Sequence, residues 1–387
     1  MHAKITVITS RTHAEVSGAG NSRRTLLPCG AMRKPRRILV VRTDRLGDVV
    51  LATPLIRALR QTFPDAFIGA MVQPYARDLL LHNPHLNDIF VDDPRGEHAG
   101  RRGFWRQVRA LRTRRYDTAL LLMPTERAAW MLFFAGIPRR IGVGTKFYGV
   151  ITGMRGVSRH KYIPLRHEAD YCLELGRTIG VRTNDLTTEL FLTEQERQRG
   201  WEILQSAGAQ ERDTLLGFHV SNGNSAPNWQ AERYSALAEL ITTRTTENVK
   251  IVFTDAKNDT PLVRSKRILD LRGRLTLREL MGVLTHLRCL FSSSTGPMHM
   301  AAALRVPTIS LFSPLSGASP TLWGPKGNDA TIIFPPEGYC QVRCPRDPKK
   351  CTLEEISVEQ VAGIMLQKLA EQPTARPAVG ATIPHTA

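Results

Sequence analysis

The chain has 387 residues with 53 Lys and Arg against 35 Asp and Glu, so its formal net charge at pH 7 is +18. This length suits two domains of ordinary size, and an apolar share of 42% with a mean hydropathy of −0.21 excludes a disordered chain and a multi-span membrane protein. The excess of positive charge points to phosphates, nucleic acid or an anionic membrane surface as partners.

Residues 1–35 are basic, contain a single acidic residue, Glu15, and show no apolar periodicity. We predict that they form a disordered basic extension. The sequence offers neither the apolar core of a signal peptide nor the run of about 18 apolar residues that a spanning helix needs. We therefore expect a cytoplasmic protein with reduced cysteines.

Strands and helices alternate along the first half of the chain. The run Ile38–Val41 predicts a strand buried on both faces of a parallel sheet, and a helical apolar face follows it from Val49 to Leu59. An apolar segment follows at Ala66–Val72, and further predicted elements are a helix at Tyr75–His82, a strand at Ile89–Val91, a helix at Phe104–Arg115 and a strand at Thr118–Met123.

The second half repeats this alternation, which is typical of βαβ units and parallel sheets. Its predicted strands are Leu215–Val220, Lys250–Thr254, Cys289–Ser293 and Thr308–Phe312, and its predicted helices are Glu194–Gln205, Glu232–Thr243, Thr276–Leu287, Thr295–Leu304 and Leu353–Leu369. We therefore predict two α/β domains, residues 36–190 and 191–345, joined near 183–193, with a C-terminal helix in residues 346–370 and a disordered tail over 371–387.

Three loops follow predicted strands, at the sheet edge where open α/β proteins bind ligands. Residues 42–48 contain one glycine, too few for a dinucleotide fingerprint, and Asp48 is either a helix N-cap or a functional carboxylate. Residues 294–300 open a helix that either binds a phosphate at its N-terminus or is an ordinary capped helix with His299 in the core. Residues 219–225 either present donors to a diphosphate or form a surface turn.

Metal binding is the less favoured interpretation of the cysteines. Cys340, Cys344 and Cys351 supply three thiols at irregular spacing, whereas a structural zinc site needs four in short pairs. No Asp-x-Asp pair follows a predicted strand, so we expect diphosphate binding by backbone dipoles and basic side chains, without metal or cofactor.

Two long motifs resemble the signatures of glycosyltransferase family 9, the heptosyltransferases. They are RILVVRTDRLGDV at residues 37–49 with Thr53-Pro54 behind it, and STGPMHMAAAL at residues 294–304, followed by Val306-Pro307-Thr308, Phe312 and Trp323-Gly324-Pro325. The resemblance extends from about residue 36 to about residue 369. It implies the GT-B fold: two Rossmann-like, doubly wound parallel-sheet domains that face a cleft, with the acceptor on the N-terminal domain and the nucleotide sugar on the C-terminal one.

The resemblance also implies an activity and a set of site residues. Members invert the anomeric centre without a metal, most often moving heptose from ADP-heptose onto the lipopolysaccharide core at the inner face of the cytoplasmic membrane. By position, Asp48 matches the catalytic base. The expected acceptor-binding residues are Arg42, Arg45 and Gly47, and the expected donor-binding residues are Ser221, Asn222, Asp259, Ser294, Thr295, Gly296, Met298 and His299.

The sequence departs from the family pattern at two donor positions. Ser294 stands where many members have Asp, and Ala226-Pro227-Asn228 stands where they have Lys before Trp229. An alternative function is therefore a related transferase that uses another donor sugar for a capsule or other surface glycan. A distant alternative, which rests on charge alone, is a non-catalytic nucleic-acid-binding protein; we expect no nucleic acid as partner.

The predicted helix at residues 104–115 is amphipathic and basic. Phe104, Trp105, Val108 and Leu111 oppose five arginines, Arg101, Arg102, Arg106, Arg109 and Arg112. Such a helix suits peripheral contact with an anionic membrane. The favoured alternative is that its apolar side packs on the sheet and its arginines are solvated.

Overall fold

The computed structural model describes residues 7–10, 34–144, 146–246, 248–257, 261–262, 265–342, 347 and 350–371. They form two domains, each built on a parallel sheet with helices on both faces, as the α/β interpretation of the sequence predicts.

The N-terminal sheet consists of short, buried, parallel strands. After a first strand, β1 (Val7–Ser10), which joins the other sheet, they are β2 (Arg37–Val41), β3 (Phe67–Val72), β4 (Asp88–Val91), β5 (Thr118–Leu121), β6 (Arg139–Val143) and β7 (Arg155–Val157). Their order is β4-β3-β2-β5-β6-β7, so the chain starts in the middle and winds outwards in both directions. The carboxyl end of β2 therefore lies centrally in this domain.

The helices of this domain are α1 (Leu46–Val50), α2 (Thr53–Thr62), α3 (Gly100–Thr113), α4 (Glu126–Phe134), α5 (Phe147–Ile151) and α6 (Glu168–Arg177), with a 3-10 turn at Pro74–Leu79. Where the sequence predicts one helix from Val49, the structure has α1 and α2, because Pro54 has no N–H and starts a new helix in its first turn. On α3, Val108 and Leu111 are buried, so this part of its apolar side packs inside the domain, whereas Trp105 is 42% exposed.

The C-terminal sheet is larger. Its parallel strands are β8 (Thr214–His219), β9 (Val249–Phe253), β10 (Ile268–Asp270), β11 (Cys289–Ser293), β12 (Thr308–Leu311) and β13 (Ala330–Ile333). Strand β1 pairs antiparallel with β13 at the edge, in the order β1-β13-β12-β11-β8-β9-β10. The prediction of disorder over residues 1–35 is thus wrong for residues 7–10, because an edge strand offers unpaired backbone groups to a β-branched segment.

The C-terminal helices are α7 (Glu194–Ser206), α8 (Ala231–Arg244), α9 (Leu277–Leu284), α10 (Gly296–Ala303), α11 (Pro320–Trp323), α12 (Tyr339–Val342) and α13 (Val358–Ala370). Helix α13 starts five residues after the predicted Leu353, at a capping box on Ser357. Residues 372–387, where a disordered tail is predicted, lie outside the described residues.

A shared hydrophobic core joins the two domains. It runs from Ile38 and Leu55 in the N-terminal domain to Leu284 and Met300 in the C-terminal one. Between α6 and α7, residues 178–193 form neither helix nor strand and carry the chain across. The expected GT-B arrangement of two sheet domains facing a cleft is confirmed.

Within the described residues, no helix is both long enough and apolar enough to cross a membrane.

Candidate functional site

The cleft between the domains holds a cavity of about 830 Å³. From the N-terminal domain it is lined by Arg45, Leu46, Gly47 and Tyr75, and from the C-terminal domain by residues 219–225, 228, 229, 231, 255–257, 272 and 295–297. The three loops that the sequence singles out therefore meet at one cavity, as the position of each after a strand predicts.

The N-terminus of α10 opens into this cavity. Thr295 is the N-cap with an extended backbone, φ −151° and ψ 164°, and its side chain makes no capping bond within the helix. Instead its hydroxyl donates to the carbonyl of Ser221 at 3.4 Å. The side-chain capping bond of the alternative interpretation is thus absent, whereas His299 is buried as that interpretation predicts. The first turn keeps N–H groups and a positive dipole end directed at the cleft.

The loop after β8 is held in shape by a buried carboxylate that we did not predict. Asp255 accepts hydrogen bonds from the backbone N–H groups of Val220 at 3.0 Å and Ser221 at 2.6 Å. Asn222 donates to the Ala226 carbonyl at 2.7 Å and to Ser293 Oγ at 3.2 Å. The loop is therefore a fixed part of the cavity wall, not a free surface turn.

Asp255 directly follows the predicted strand Lys250–Thr254, so the rule that ligands gather at strand ends could have identified it. Burial lowers the pKa of His219 in the same wall, which keeps its imidazole neutral beside Thr254, 3.2 Å from Nδ1. Two cationic side chains also line the cavity, Lys257 and Arg272, the latter held by Asp270 at 2.8 Å. Both place positive charge in this wall of the cavity.

A close contact between α1 and α10 forms the floor of the cleft. A Cβ atom on Gly47 would lie 2.9 Å from Cδ2 of His299, and a Cβ on Gly296 would lie 3.4 Å from Cβ of Leu46. Two glycines thus allow helices of different domains to touch. Burial lowers the pKa of His299 to about 4, so its ring is a neutral packing surface there.

Arg42, at the carboxyl end of β2, is the centre of a buried ionic cluster. Its guanidinium contacts Asp44 at 2.7 Å, Asp48 at 2.5 Å and Glu168 at 2.9 Å. Glu168 also binds Arg159 through both of its oxygens, at 2.8 and 2.9 Å. Arg42 is only 3% exposed and does not line the cavity, so its place as an acceptor-binding residue stays a prediction.

Asp48 does not cap α1. The helix begins at Leu46 after the N-cap Arg45, and the Asp48 carboxylate in its first turn binds Arg42 instead. Burial is the largest influence on the pKa of Asp48 and raises it, the Arg42 guanidinium opposes that rise, and Glu168 adds to it. Burial likewise raises the pKa of Asp44 to about 6. Both carboxyl groups are thus more basic than ordinary Asp.

The remaining predicted site residues lie elsewhere. Ser294 is nearly buried and is not part of the cavity wall, and Met298 is fully buried against Phe312 and Ile332 in a hydrophobic cluster. Asp259 and Cys344 lie outside the described residues.

His167 links the two domains at the back of the cleft. Its Nδ1 accepts from the N–H of Ala169 at 3.2 Å, and its Nε2 lies 2.8 Å from the Gly324 carbonyl oxygen, to which it must donate. Burial lowers the pKa of His167 to about 3, with a smaller contribution from Lys326. The ring is therefore neutral and carries its proton on Nε2.

The sequence model of glycosyltransferase family 9 (heptosyltransferase) matches residues 104–351, more than half of the chain. The chain belongs to glycosyltransferase family 9. It is therefore a glycosyltransferase, which confirms the enzyme hypothesis over the nucleic-acid one. The motif at residues 294–304 lies inside the matched range, and the motif at residues 37–49 precedes it.

Relatives of this glycosyltransferase include lipopolysaccharide heptosyltransferase 2 of Escherichia coli strain K12, 28% identical over 323 residues that cover 79% of this chain and 90% of the relative. The protein of the same name from Salmonella typhimurium is 27% identical, with the same coverage.

Two solved structures show the same fold. A glycosyltransferase family 9 structure from Veillonella parvula superposes with a TM-score of 0.71 at 22% identity and covers 86% of this chain and 97% of that one. The structure of E. coli ADP-heptose lps heptosyltransferase II gives 0.68 at 22% identity, covering 86% and 98%.

Removing Glu168 from this glycosyltransferase tests the ionic cluster. Glu168→Ala leaves Arg159 and part of the Arg42 charge buried without a counter-charge, so we expect the free energy of unfolding to fall by about 3 kcal/mol in chemical denaturation. The matched control is Glu202→Ala, whose pair with Arg199 at 3.5 Å is half exposed and should cost less than about 1 kcal/mol. Equal losses in the two variants would contradict the role of the cluster.

The neutral state of His167 predicts a pH dependence of stability. Below its ordinary pKa of 6.5 the unfolded chain takes up a proton on His167 that the folded protein refuses until pH about 3. The free energy of unfolding, measured relative to His167→Gln, should therefore fall as the pH drops from 6.5, by about 1.4 kcal/mol per pH unit at most. A difference between the two proteins that stays constant from pH 7 to pH 4 would show that the ring is not held neutral.

Proposed function

We propose that this enzyme transfers heptose from ADP-heptose to a lipopolysaccharide core acceptor, with inversion at the anomeric carbon and without a metal. The relatives named lipopolysaccharide heptosyltransferase 2 support the sugar and the acceptor. The observation that carries the mechanism is the contact of α1 with α10 across the cleft, because it brings the helix that bears Asp48 next to a helix N-terminus suited to phosphate.

The donor diphosphate binds at the N-terminus of α10 in this proposal. The N–H groups of its first turn, together with Thr295 and Gly296, face the phosphates, and the loop of Ser221 and Asn222 closes over them. Lys257 and Arg272 in the same wall favour an anionic ligand. As the bond to the sugar breaks, these dipoles and cations stabilise the growing negative charge on the diphosphate, which is the main electrostatic demand of the reaction.

Asp48 is the general base. The acceptor hydroxyl oxygen attacks the anomeric carbon, its proton passes to the Asp48 carboxylate, and the bond from the anomeric carbon to the diphosphate oxygen breaks on the opposite face. A single displacement of this kind inverts the centre. The raised pKa of Asp48 favours proton transfer, and the Arg42 guanidinium at 2.5 Å fixes the direction of the carboxylate.

The acceptor approaches from the N-terminal side of the cleft, past Arg45 and Gly47. Arg45 is exposed at the cavity rim, where its charge suits a phosphorylated acceptor. The acceptor is a glycolipid in this proposal, so the enzyme works in peripheral contact with the cytoplasmic face of the inner membrane.

Two departures from the family pattern favour a second candidate, a family 9 transferase with another donor sugar for a capsule or other surface glycan. Ser294 presents no carboxylate, and Pro227 replaces a residue with a side-chain donor near the phosphate loop. A donor selected by different polar contacts would fit these two departures.

Replacing the proposed base separates Asp48 from its neighbour Asp44. Asp48→Asn keeps the size of the side chain and removes its basicity, so kcat should fall by about 10² to 10⁴-fold while the Kd for donor changes little. Asp44→Asn, which alters the same Arg42 cluster, should lose far less, and the half-exposed Asp185→Asn serves as the surface control. Full activity of Asp48→Asn, measured as nucleoside diphosphate release, would remove Asp48 as the base.

The donor is identified by thermal shift across a panel of nucleotide sugars. A ligand that binds only the folded state raises Tm, and the rise grows with the ratio of the ligand concentration to its Kd. ADP-heptose should give the largest rise, and ADP alone should retain part of it because the diphosphate contacts remain. A larger rise with another nucleotide sugar would replace the proposed donor and favour the second candidate.

A further inference from the structure

Four aromatic side chains form one cluster on the outer face of the N-terminal domain. Trp105 of α3 lies 4.9 Å from Phe134 of α4, and Phe134 stacks with Trp130 at 5.6 Å and contacts Phe133 at 5.4 Å, all between ring centroids. Three of them are about 40% exposed, with Trp105 at 42%, Phe133 at 39% and Phe134 at 40%. A contiguous set of exposed rings, unlike scattered single ones, indicates an interaction site.

Helix α5 continues this apolar face. Phe147, Val150 and Ile151 are 82%, 64% and 51% exposed. Arg140 connects the two parts, because its guanidinium lies 5.4 Å over the Phe133 ring and its Nε donates to the carbonyl of Thr152, just after α5, at 3.0 Å. We give the name aromatic surface to the set formed by both parts: Trp105, Trp130, Phe133, Phe134, Phe147, Val150 and Ile151.

Positive charge lies beside the aromatic surface. Residues 100–115 contain seven arginines and no acidic residue. Three exposed arginines lie on the same side of α3 as Trp105. They are Arg101, four residues before Trp105, and Arg109 and Arg112, four and seven residues after it. Among the described acidic side chains, Asp88 pairs with Arg114 at 2.6 Å, Glu97 pairs with Arg106 at 3.2 Å, and Glu126 lies beside Trp130.

We propose that the aromatic surface docks this enzyme on a bilayer that contains anionic lipids. Tryptophan and other aromatic rings partition into the headgroup region, while neighbouring arginines bind lipid phosphates. The inference rests on the proposed function in one respect, that the acceptor is a glycolipid held in the same bilayer. It also changes the role of α3: the lipid-facing group is Trp105 on the arginine side, whereas Val108 and Leu111 are buried in the core.

The position of α5 fits this occupant. Helix α5 follows the carboxyl end of β6. Arg42, which directly follows β2, lies at the same edge of the N-terminal sheet. An acceptor anchored in the bilayer would therefore approach the cleft along the sheet edge that the surface borders.

Single-stranded nucleic acid fits the aromatic surface less well. Proteins that bind it present separate ring faces on which successive bases stack. Here the rings pack on one another at 4.9–5.6 Å, and Val150 and Ile151 offer no face for a base.

The test is co-sedimentation of the full chain with vesicles of phosphatidylethanolamine containing 30% phosphatidylglycerol, at 0.1 M salt. Binding should be at least about tenfold tighter than to vesicles of phosphatidylcholine alone. Trp105→Ser with Phe134→Ser should weaken it about tenfold or more, and Arg102→Glu with Arg109→Glu should do the same for the anionic vesicles. Circular dichroism and the unfolding transition check that each variant is folded.

A charge-matched control is Arg212→Glu with Arg244→Glu, two exposed arginines of the C-terminal domain. It should bind vesicles within about threefold of the unmodified protein. The proposal is overturned if the unmodified protein does not sediment with anionic vesicles, if the control loses as much as the surface variants, or if the surface variants change only self-association or only the binding of a single-stranded oligonucleotide.

A soluble, deacylated acceptor separates this proposal from the proposed function. The surface variants should keep kcat on it within about twofold while losing activity on vesicle-bound acceptor. Vesicle binding without heptose transfer would overturn the function alone, and transfer on both acceptors without vesicle binding would overturn the docking surface alone.

Discussion

The site depends on the guanidinium of Arg42, which is buried at the end of the central strand β2 and surrounded by three carboxylates. Burial alone would lower the pKa of Arg42, but the negative charges of Asp44, Asp48 and Glu168 around it raise it well above its ordinary value. The cation is therefore permanent, and the carboxylates must arrange themselves around it. The 42–48 loop and the start of α6, 126 residues apart, are fixed relative to each other by this one charge.

A second constraint, the contact of Gly47 with His299, converts two separate sheet edges into one site. Any side chain at Gly47 would push the His299 ring away and open the cleft floor, since the gap to its Cβ position is only 2.9 Å. A charged His299 would also be costly there, and burial holds its pKa at about 4. The N-terminal and C-terminal halves of the cleft thus meet through uncharged, closely packed groups, while charged side chains lie in the walls.

The sequence is sufficient to predict the parallel sheets and the three loops of the cleft, because hydrophobic runs and the rule of strand ends are local signals. It does not predict Glu168 or Arg159, since nothing local marks a partner so far along the chain. Met298 shows a different failure: α10 is apolar nearly all round, so its sequence does not tell which side faces the cleft. Strand β7, Arg155–Val157, is missed because it is three residues long and has no apolar run.

The fold shows where the residues behind the net charge of +18 lie. Part of it lies in residues 1–35, and another part is concentrated on α3, where five arginines stand beside exposed rings. The buried arginines have a different function: Arg42 and Arg159 neutralise the carboxylates of the site and contribute nothing to the field outside. Because salt screens exposed charges within about 10 Å but affects buried pairs much less, ionic strength should act on association with a charged surface and leave the basicity of Asp48 nearly unchanged. In the proposed function, binding to a surface and the chemical step thus depend on different sets of arginines, which makes them separable by salt as well as by mutation.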